Sequence, residues 1–319
     1  MTDRVPMHAE LLTKLKALGE PTRLRIVTLL LRGELTVSEI MQVLGQSQPR
    51  VSRHLKLLAD AGLCERYPEG GWVFYRLARS RVGERLAALL EEMERSDDTE
   101  VARDLARLSE VRRLRAETAQ KYFEVAAEQW ARIRGLHFSE EAVEAAMLKA
   151  AGERQFRLHL DVGTGTGRML EIFADRAEDG MGVDLSREML TVARSKMSEA
   201  GLANRLVRQA DATALPLETG SADLITVHQV LHYIAQPQRA LTEWARVLAP
   251  GGLLLLADFE THDFEGFRAE YHHAHLGFER GQLRAWLEAA GLKPLGIDPL
   301  QSEKAEGGLT VLICSATKV

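Results

Sequence analysis

The sequence contains little cysteine, little proline and no long apolar run, and each shortage excludes a class of protein. Its 319 residues include two cysteines, Cys64 and Cys314, and nine prolines. Two thiols so far apart in the chain support neither a disulfide framework nor a cysteine metal cage, and they suit a reducing compartment. Apolar runs such as Leu253–Ala257 are far too short to cross a bilayer, and the N-terminus lacks the apolar stretch of a secretory signal. We therefore expect a cytoplasmic protein without a membrane partner.

Length and charge favour two domains of different character. A chain of 319 residues is long for one domain and comfortable for two. The net charge of −5 divides into +3 over residues 1–95 and −8 over residues 96–319. A mildly basic N-terminal part beside an acidic body is compatible with a DNA-reading module joined to an enzyme domain.

The sequence pattern changes twice along the chain and predicts the domain boundaries. Short amphipathic segments lead into a strand–turn–strand pattern at 63–77, with Gly70 and Gly71 at its turn, and residues 80–150 are helical in pattern. We expect domains at 1–95 and 151–319, with a helical connector at 96–150. In the second domain, β runs alternate with helical segments, which is typical of a parallel α/β sheet. These runs are Leu158–Val162, Met181–Asp184, Arg205–Gln209, Leu224–Val227 and Leu253–Phe259.

Helix-start and helix-stop residues predict three short helices before the strand pattern. Pro21 suits the first turn of a helix, where its missing N–H needs no partner. Thr36 and Glu39 have the spacing of a capping box, and Gly45 ends the helix that follows. Ser47 can cap the third helix, so that two short helices joined by a tight turn form a helix-turn-helix.

The third helix divides into an apolar and a polar face. Val51, Leu55 and Leu58 share the apolar face and predict burial in a core. The side chains left facing outward carry donors for DNA phosphates and base edges, and the following hairpin predicts a wing against the backbone. An alternative is an ordinary solvated basic face. The predicted DNA contacts are Gln48, Arg50, Ser52, Arg53, Lys56, Arg66 and Arg76.

Three stretches of the N-terminal part resemble one family of repressors. These stretches are LGEPTRLRIV from Leu18, SQPRVSRHL from Ser47 and AGL from Ala61, and together they resemble the ArsR/SmtB winged helix-turn-helix regulators. The resemblance covers residues 8–95. It implies a homodimer that is joined through the first helix and the helix at 81–95 and that reads a two-fold-symmetric operator in double-stranded DNA.

The sequence departs from the metal-sensing members of that family. Thr36, Ser38 and Met41 stand where those members carry cysteines, and none of the three supplies a thiolate. We therefore expect no arsenic or cadmium sensing at this place.

A glycine-rich loop follows the first β run of the C-terminal part. The stretch LDVGTGTG occupies residues 160–167, between a β run and a helical segment. Glycines there let the backbone turn sharply and approach a ligand closely. A nicotinamide fingerprint would need a glycine where Arg168 stands. The observed spacing instead resembles motif I of class I methyltransferases.

Later segments agree with this resemblance in order and spacing. Asp184 ends the next β run, where a carboxylate accepts from ribose hydroxyls, and Asp211-Ala212 follows the third run, where a carboxylate takes an adenine amino group. Residues 246–256 resemble the matching stretch of UbiE-like enzymes. The resemblance implies a Rossmann-like fold with a mostly parallel seven-stranded sheet. It also implies S-adenosylmethionine as cofactor, with S-adenosylhomocysteine as product, held by Asp161, Gly163, Thr164, Gly165, Thr166, Gly167, Asp184, Leu185, Met189, Asp211, Ala212 and His228.

Histidines supply the candidates for proton transfer and for an acceptor pocket. His228 and His232 come just after the fourth β run and are candidate bases, needed only if the acceptor loses a proton. Backbone contacts to the cofactor and packing in the loop are the alternative roles. We expect no metal, because the later histidines fit no zinc pattern; a pocket for the acceptor and a plain polar helix both remain open. The pocket candidates are His262, His272, His273, His275 and, in the connector, Tyr122.

Two functions remain open from the sequence. One is an active methyltransferase that also regulates genes through DNA binding. The other is a non-catalytic repressor that senses S-adenosylmethionine or its demethylated product, since sensing and catalysis both need cofactor binding. The acceptor is a small molecule of unspecified class, with quinones among those left open. Arsenite methylation is not expected, because it resembles systems that use three or four cysteines.

Overall fold

The computed structural model describes residues 7–69, 72–78, 85, 88–89, 99–115, 139–264, 267, 273–301 and 309–319. The chain divides into two compact units, Met1–Glu117 and Thr118–Val319. No helix among these residues is both long and apolar enough to span a membrane.

The first unit has the element order of a winged helix-turn-helix. Its three strands form an antiparallel sheet in the order β1-β3-β2. The elements are α1 Met7–Leu18, α2 Pro21–Leu31, β1 Leu35–Thr36, α3 Val37–Leu44, α4 Gln48–Asp60, β2 Cys64–Glu69 and β3 Trp72–Leu77, followed by helical residues 99–115 (α5).

The helix ends follow the predicted local chemistry with one exception. Pro21 occupies the first turn of α2, and both hydrogen bonds of the Thr36–Glu39 capping box are present. Gly45 ends α3 with a left-handed φ of 64°. Ser47 stands at the N-cap of α4, but its side chain makes no capping hydrogen bond. Pro49 lies in that first turn and lacks one of the N–H groups that a cap would satisfy.

Helix α5 packs against the core of the first unit, although the sequence places residues 96–150 in a separate connector. Leu108 and Val111 are buried in the same apolar cluster as α2, α3 and α4. Arg25 of α2 holds Asp104 with two hydrogen bonds of 2.6 and 2.7 Å. Arg107 donates to the main-chain oxygen of Val43 at 3.0 Å. The apolar face of α5 therefore belongs to the first unit.

The second unit alternates strands and helices. Its helices are α6 Glu140–Ala151, α7 Arg168–Ile172, α8 Arg187–Glu199, α9 Pro237–Val247 and α10 Arg280–Ala289, with short 3-10 turns at Ala174–Arg176 and Leu231–Tyr233. Its strands are β4 Phe156–Val162, β5 Ala177–Asp184, β6 Arg205–Gln209, β7 Ala222–His228, β8 Leu248–Phe259, β9 Leu292–Leu300 and β10 Val311–Lys318.

These strands form one seven-stranded sheet in the order β6-β5-β4-β7-β8-β10-β9. The first five strands of that order are parallel, and β10 pairs antiparallel with β8 and β9. The predicted mostly parallel sheet is therefore confirmed. The direction of winding reverses at β4, and ligands of open α/β sheets bind at the carboxyl ends of the strands at such a point.

Both faces of the sheet are buried. Leu254 and Leu256 of β8 belong to the cluster that contains Trp244 of α9, whereas Leu253 and Leu255 join the cluster that contains Val143 of α6. Side chains alternate between faces along a strand, so β8 is apolar on both sides. This burial fixes the strand ends from which the candidate site is built.

Candidate functional site

The glycine loop lies between β4 and α7 and adopts a backbone that favours glycine. Gly163, Gly165 and Gly167 have φ values of 70°, 52° and 84°. A Cβ on Gly163 would lie 2.2 Å from a methyl carbon of Val230, so the loop after β7 approaches this residue closely. A Cβ on Gly165 would meet no atom within 4 Å. The loop therefore borders open space at its middle glycine.

Asp184, at the end of β5, is bound directly to this loop. One carboxylate oxygen accepts the N–H of Gly165 at 2.8 Å, and the other accepts the N–H of Ser186 at 2.8 Å. Burial raises the pKa of this carboxyl, although the backbone N–H groups oppose the shift. A carboxylate offers about four acceptor positions, and the backbone N–H groups do not use all of them. Near it, Leu185 is exposed and Met189 lies in the first turn of α8.

Asp211 and Ala212 follow β6 and have other partners. Asp211 is exposed, and one of its carboxylate oxygens accepts the N–H and the hydroxyl of Thr213 at 2.7 and 2.8 Å. These hydrogen bonds lower the pKa of Asp211. The main-chain oxygen of Ala212 accepts from the indole N–H of Trp244 at 2.9 Å. Asp211 therefore keeps its second oxygen for a ligand.

Asp161 is the second-last residue of β4, just before the glycine loop, and is buried, as is Thr164. Its carboxylate accepts from the Thr226 hydroxyl at 2.7 Å. Burial raises the pKa of Asp161 to about 6, although the hydroxyls of Thr164 and Thr226 act to lower it. Thr166 is less buried and accepts from Lys196 at 3.2 Å.

The end of β7 carries two polar side chains whose nitrogen atoms are buried without a hydrogen bond. These atoms are Nε2 of His228 and Nε2 of Gln229. Burial lowers the pKa of His228 to about 4, so its imidazole is neutral and a weak proton acceptor near pH 7. Gln229 has a φ of 58°, a left-handed conformation that costs a non-glycine residue about 1–3 kcal/mol and is often found at functional sites. The sequence pattern carried no signal for Gln229.

His232 forms a buried pair with Asp258. Like Gln229, Asp258 is a residue that the sequence pattern did not single out. Nδ1 of His232 lies 2.8 Å from Oδ1 of Asp258, and because a carboxylate only accepts, Nδ1 carries the proton. Asp258 also accepts the backbone N–H groups of His232 and Phe259. This arrangement fixes the imidazole and leaves Nε2 as its basic nitrogen. The sequence signal that could have identified Asp258 was an acidic residue near the end of the apolar β8 run.

Two of the later histidines, His273 and His275, lie next to His232. The ring centroid of His273 lies 4.0 Å from that of His232, and the N–H of His275 donates to the main-chain oxygen of His232 at 3.1 Å. Burial lowers the pKa of His273 to about 3. We call this group, with the neighbouring aromatic rings, the histidine–aromatic cluster: His232, Tyr233, Phe259, His262, Phe264, Phe267, His273 and His275.

Two predicted pocket residues, Tyr122 and His272, lie outside the described residues. Within the part of the chain that is described, no three His, Cys, Asp or Glu side chains are grouped to hold a metal ion. Cys64 and Cys314 are both buried, and burial raises the pKa of each thiol to about 12. Neither thiol is therefore a thiolate at neutral pH.

Helix α4 presents the predicted division of faces. Val51, Leu55 and Leu58 are fully buried, which confirms the apolar face. The predicted DNA contacts divide by exposure: Gln48, Arg50, Arg53, Lys56 and Arg66 are exposed, whereas Ser52 and Arg76 are partly buried.

The hairpin β2–β3 follows α4 in the position of a wing. Arg76 forms an ion pair with Glu65 across the two strands, so its guanidinium is already engaged. The predicted turn at Gly70 and Gly71 lies outside the described residues. Arg66 is the more exposed of the two wing arginines.

Comparison with protein families identifies a domain in each unit. Residues 20–66 match the model described as the bacterial regulatory protein, arsR family, and residues 160–256 match a methyltransferase domain. The chain thus carries an ArsR-family helix-turn-helix followed by a Rossmann-like methyltransferase domain.

Similar proteins share the second domain. The uncharacterized methyltransferase YcgJ of Bacillus subtilis is 35% identical over 121 residues, covering 38% of this chain and 48% of YcgJ. The demethylmenaquinone methyltransferase of Renibacterium salmoninarum is 37% identical over 112 residues, covering 35% of this chain and 45% of that enzyme. The chain therefore spans about half the length of these relatives. A solved geranyl diphosphate methyltransferase in complex with SAM has the same fold, with a TM-score of 0.50 and 16% identity over 56% of this chain and 86% of that one.

Proposed function

We propose that this protein is a transcription regulator that binds operator DNA and also transfers a methyl group from S-adenosylmethionine to a small-molecule acceptor. The observation that carries the proposal is the bond between the carboxylate of Asp184 and the N–H of Gly165. It joins the end of β5 to the glycine loop at the point where the winding of the sheet reverses, the usual ligand position in such folds.

The residues at this edge fit the cofactor. Any side chain at position 165 would narrow the open space beside the loop. The glycine therefore leaves room for a nucleoside to approach the backbone closely. Asp184 keeps acceptor positions for ribose hydroxyls, and Asp211 keeps an oxygen for an adenine amino group. The buried nitrogens of His228 and Gln229 need partners, because an unsatisfied polar atom costs about 1–3 kcal/mol. When bound, the cofactor supplies an electrophilic methyl group on its sulfonium.

His232 is the better of the two candidate bases. Asp258 holds the proton on Nδ1 and leaves Nε2 to accept one from the acceptor molecule, in the manner of a base oriented by a carboxylate. His228, with a pKa lowered to about 4, serves better as a neutral hydrogen-bonding contact. The proposed roles of the two histidines thus follow from the carboxylate beside His232 and from the burial of His228.

The histidine–aromatic cluster is the proposed acceptor pocket. Its rings present flat, largely apolar surfaces with a few nitrogen atoms, the usual composition of small-molecule sites. A demethylmenaquinone methyltransferase is among the similar proteins, and the proposed acceptor is accordingly a planar ring compound of the quinone type.

The first unit is proposed to act on DNA as a homodimer. Gln48, Arg50, Arg53 and Lys56 are exposed on α4, where a recognition helix carries its base and phosphate contacts. Leu11, Leu12 and Leu15 of α1 are 44%, 51% and 55% exposed. Water-exposed leucines on one helix are explained if a second copy covers them, and a dimer would read an operator of two half-sites.

The test is methyl transfer from labelled S-adenosylmethionine to a panel of quinols and other hydroxylated ring compounds. We expect turnover of at least one acceptor, and a loss of about 10²–10⁴-fold in the variant His232→Gln if that acceptor must lose a proton. The wild-type chain is the reference, because the other histidines near His232 belong to the proposed acceptor pocket. An acceptor that turns over equally well in the wild type and in His232→Gln would remove the base assignment, and no turnover of any acceptor would contradict the enzymatic proposal.

The second candidate function is a non-catalytic sensor of the cofactor or of S-adenosylhomocysteine. The observation in its favour is that His232 is 2% exposed, which leaves the candidate base closed to solvent. Sensing requires that cofactor and operator each change the affinity for the other by the same factor. Titrating operator DNA with and without each cofactor form tests for this change in affinity. The methyl-transfer assay then distinguishes the two functions, since a non-catalytic sensor shows the change without turning over any acceptor.

A further inference from the structure

A row of buried polar side chains lies on one face of the sheet, directly before the glycine loop. His159 and Asp161 are two residues apart on β4 and therefore share a face. Thr226 of β7 is the strand neighbour of Asp161. Nε2 of His159 lies 2.6 Å from the Thr226 hydroxyl, which lies 2.7 Å from the Asp161 carboxylate. All three residues are at most 1% exposed.

The direction of both hydrogen bonds follows from the chemistry of the groups. An ionised carboxylate only accepts, so the Thr226 hydroxyl donates its single proton to Asp161. The hydroxyl oxygen then accepts from His159, and the proton of this imidazole must be on Nε2. The other ring nitrogen, Nδ1 of His159, is buried without a hydrogen bond, as expected for a lone pair. Burial lowers the pKa of His159 to about 3, which keeps the imidazole neutral.

Two glycines of β5 give this row the space it occupies. Gly180 is the strand neighbour of His159, and Gly182 is the strand neighbour of Asp161. A Cβ on Gly180 would lie 2.5 Å from the side chain of Arg205. The absence of side chains on this stretch of β5 lets neighbouring side chains pack over the polar row and exclude water from it.

We propose that His159 is a positioning residue that acts through Thr226 to orient the carboxylate of Asp161 and keep it ionised at the entrance to the glycine loop. This inference rests on the proposed function, because it takes the loop to bind the cofactor. An ionised Asp161 favours a ligand with cationic groups, and S-adenosylhomocysteine carries an ammonium group. Two other charged residues act on the row: Asp184 raises the proton affinity of Asp161, and Arg205 lowers that of His159.

The pH dependence of cofactor binding reports this role. Burial raises the pKa of Asp161 to about 6, so affinity that depends on the ionised form is present above that pH and is lost as the pH falls through it. The hydrogen bond from Thr226 opposes the rise. Removing this bond, or the histidine that orients it, raises the pKa further and moves the loss of affinity to higher pH.

The experiment measures the affinity of the full chain for S-adenosylhomocysteine by calorimetry, between about pH 5 and 8. In Thr226→Val and His159→Leu, we expect the midpoint of the acid loss to rise by about one pH unit. Thr226→Ser keeps the hydroxyl, and His159→Gln keeps an N–H donor near the place of Nε2. Both conservative variants should retain the wild-type midpoint, which a merely space-filling role would not require.

Each outcome decides the matter. Equal midpoints in Thr226→Val and Thr226→Ser would overturn the inference while leaving the proposed function intact. If His159→Leu does not fold, the two Thr226 variants suffice for the decision, because Thr226→Val keeps the shape of threonine without its hydroxyl and Thr226→Ser keeps the hydroxyl. A wild-type chain that does not bind S-adenosylhomocysteine would contradict the proposed function and, with it, this inference.

Discussion

The two candidate sites of this chain are built in opposite ways. On α4 the functional side chains are exposed, and their position is set by the buried Val51, Leu55 and Leu58 on the other face. At the glycine loop Asp161 is buried and Asp184 is partly buried, and each is held by a hydrogen bond within the protein, from Thr226 and from Gly165. Substitution of an exposed contact residue on α4 should therefore leave the fold intact. Substitution of a residue at the glycine loop should affect both folding and ligand binding.

The largest expected effect tests this dependence at the glycine loop. Gly163→Ala should lower the free energy of unfolding by about 3 kcal/mol, because its Cβ would lie 2.2 Å from Val230 in a left-handed backbone. Gly165→Ala is the matched control: its Cβ would meet no atom within 4 Å, so only the backbone conformation costs stability, about 1 kcal/mol. Chemical denaturation measures both. Similar losses in the two variants would show that the approach of Val230 does not limit the loop.

Calorimetry on the same pair separates folding from binding. Gly165→Ala should fold and yet bind S-adenosylhomocysteine weakly, because its methyl group enters the open space beside the loop. Wild-type affinity in this variant would place the nucleoside elsewhere.

A smaller effect is expected at the exposed site. Arg50→Ala should weaken operator binding by about 1–3 kcal/mol and leave the free energy of unfolding unchanged, and Arg53→Ala should act in the same way. Arg76→Ala should weaken it less, because Arg76 is paired with Glu65. DNA titration at fixed salt measures all three. If Arg76→Ala had the larger effect, the wing and not α4 would dominate recognition.

Local pattern predicted much of the fold. The capping box at Thr36 and Glu39 and the strand β6, whose predicted and observed limits coincide, depend on residues close in sequence. Strand β9 was not predicted, since it is largely exposed and carries Pro294 and Pro299, which are unusual inside strands. The packing of α5 in the first unit was also not predicted, because an amphipathic pattern does not specify the element against which its apolar face packs.

The candidate sites divide in the same way. Helical spacing predicted the apolar and polar faces of α4, although Ser52 of the polar face is partly buried, and the β pattern placed Asp184 at the end of the strand after the glycine loop. Asp258, Gln229 and the contact between His159 and Thr226 depend on strands that meet only in the folded sheet. No local sequence pattern encodes contacts between such strands, so these buried residues could be identified only from the structure.

The most direct measurement is calorimetric titration of S-adenosylhomocysteine into the wild-type chain and into Asp184→Ala. We expect binding by the wild type and a loss of about 1–3 kcal/mol in the variant, the cost of hydrogen bonds to a charged group. Equal affinity in the two proteins would contradict the claim that Asp184 and the glycine loop together hold the nucleoside.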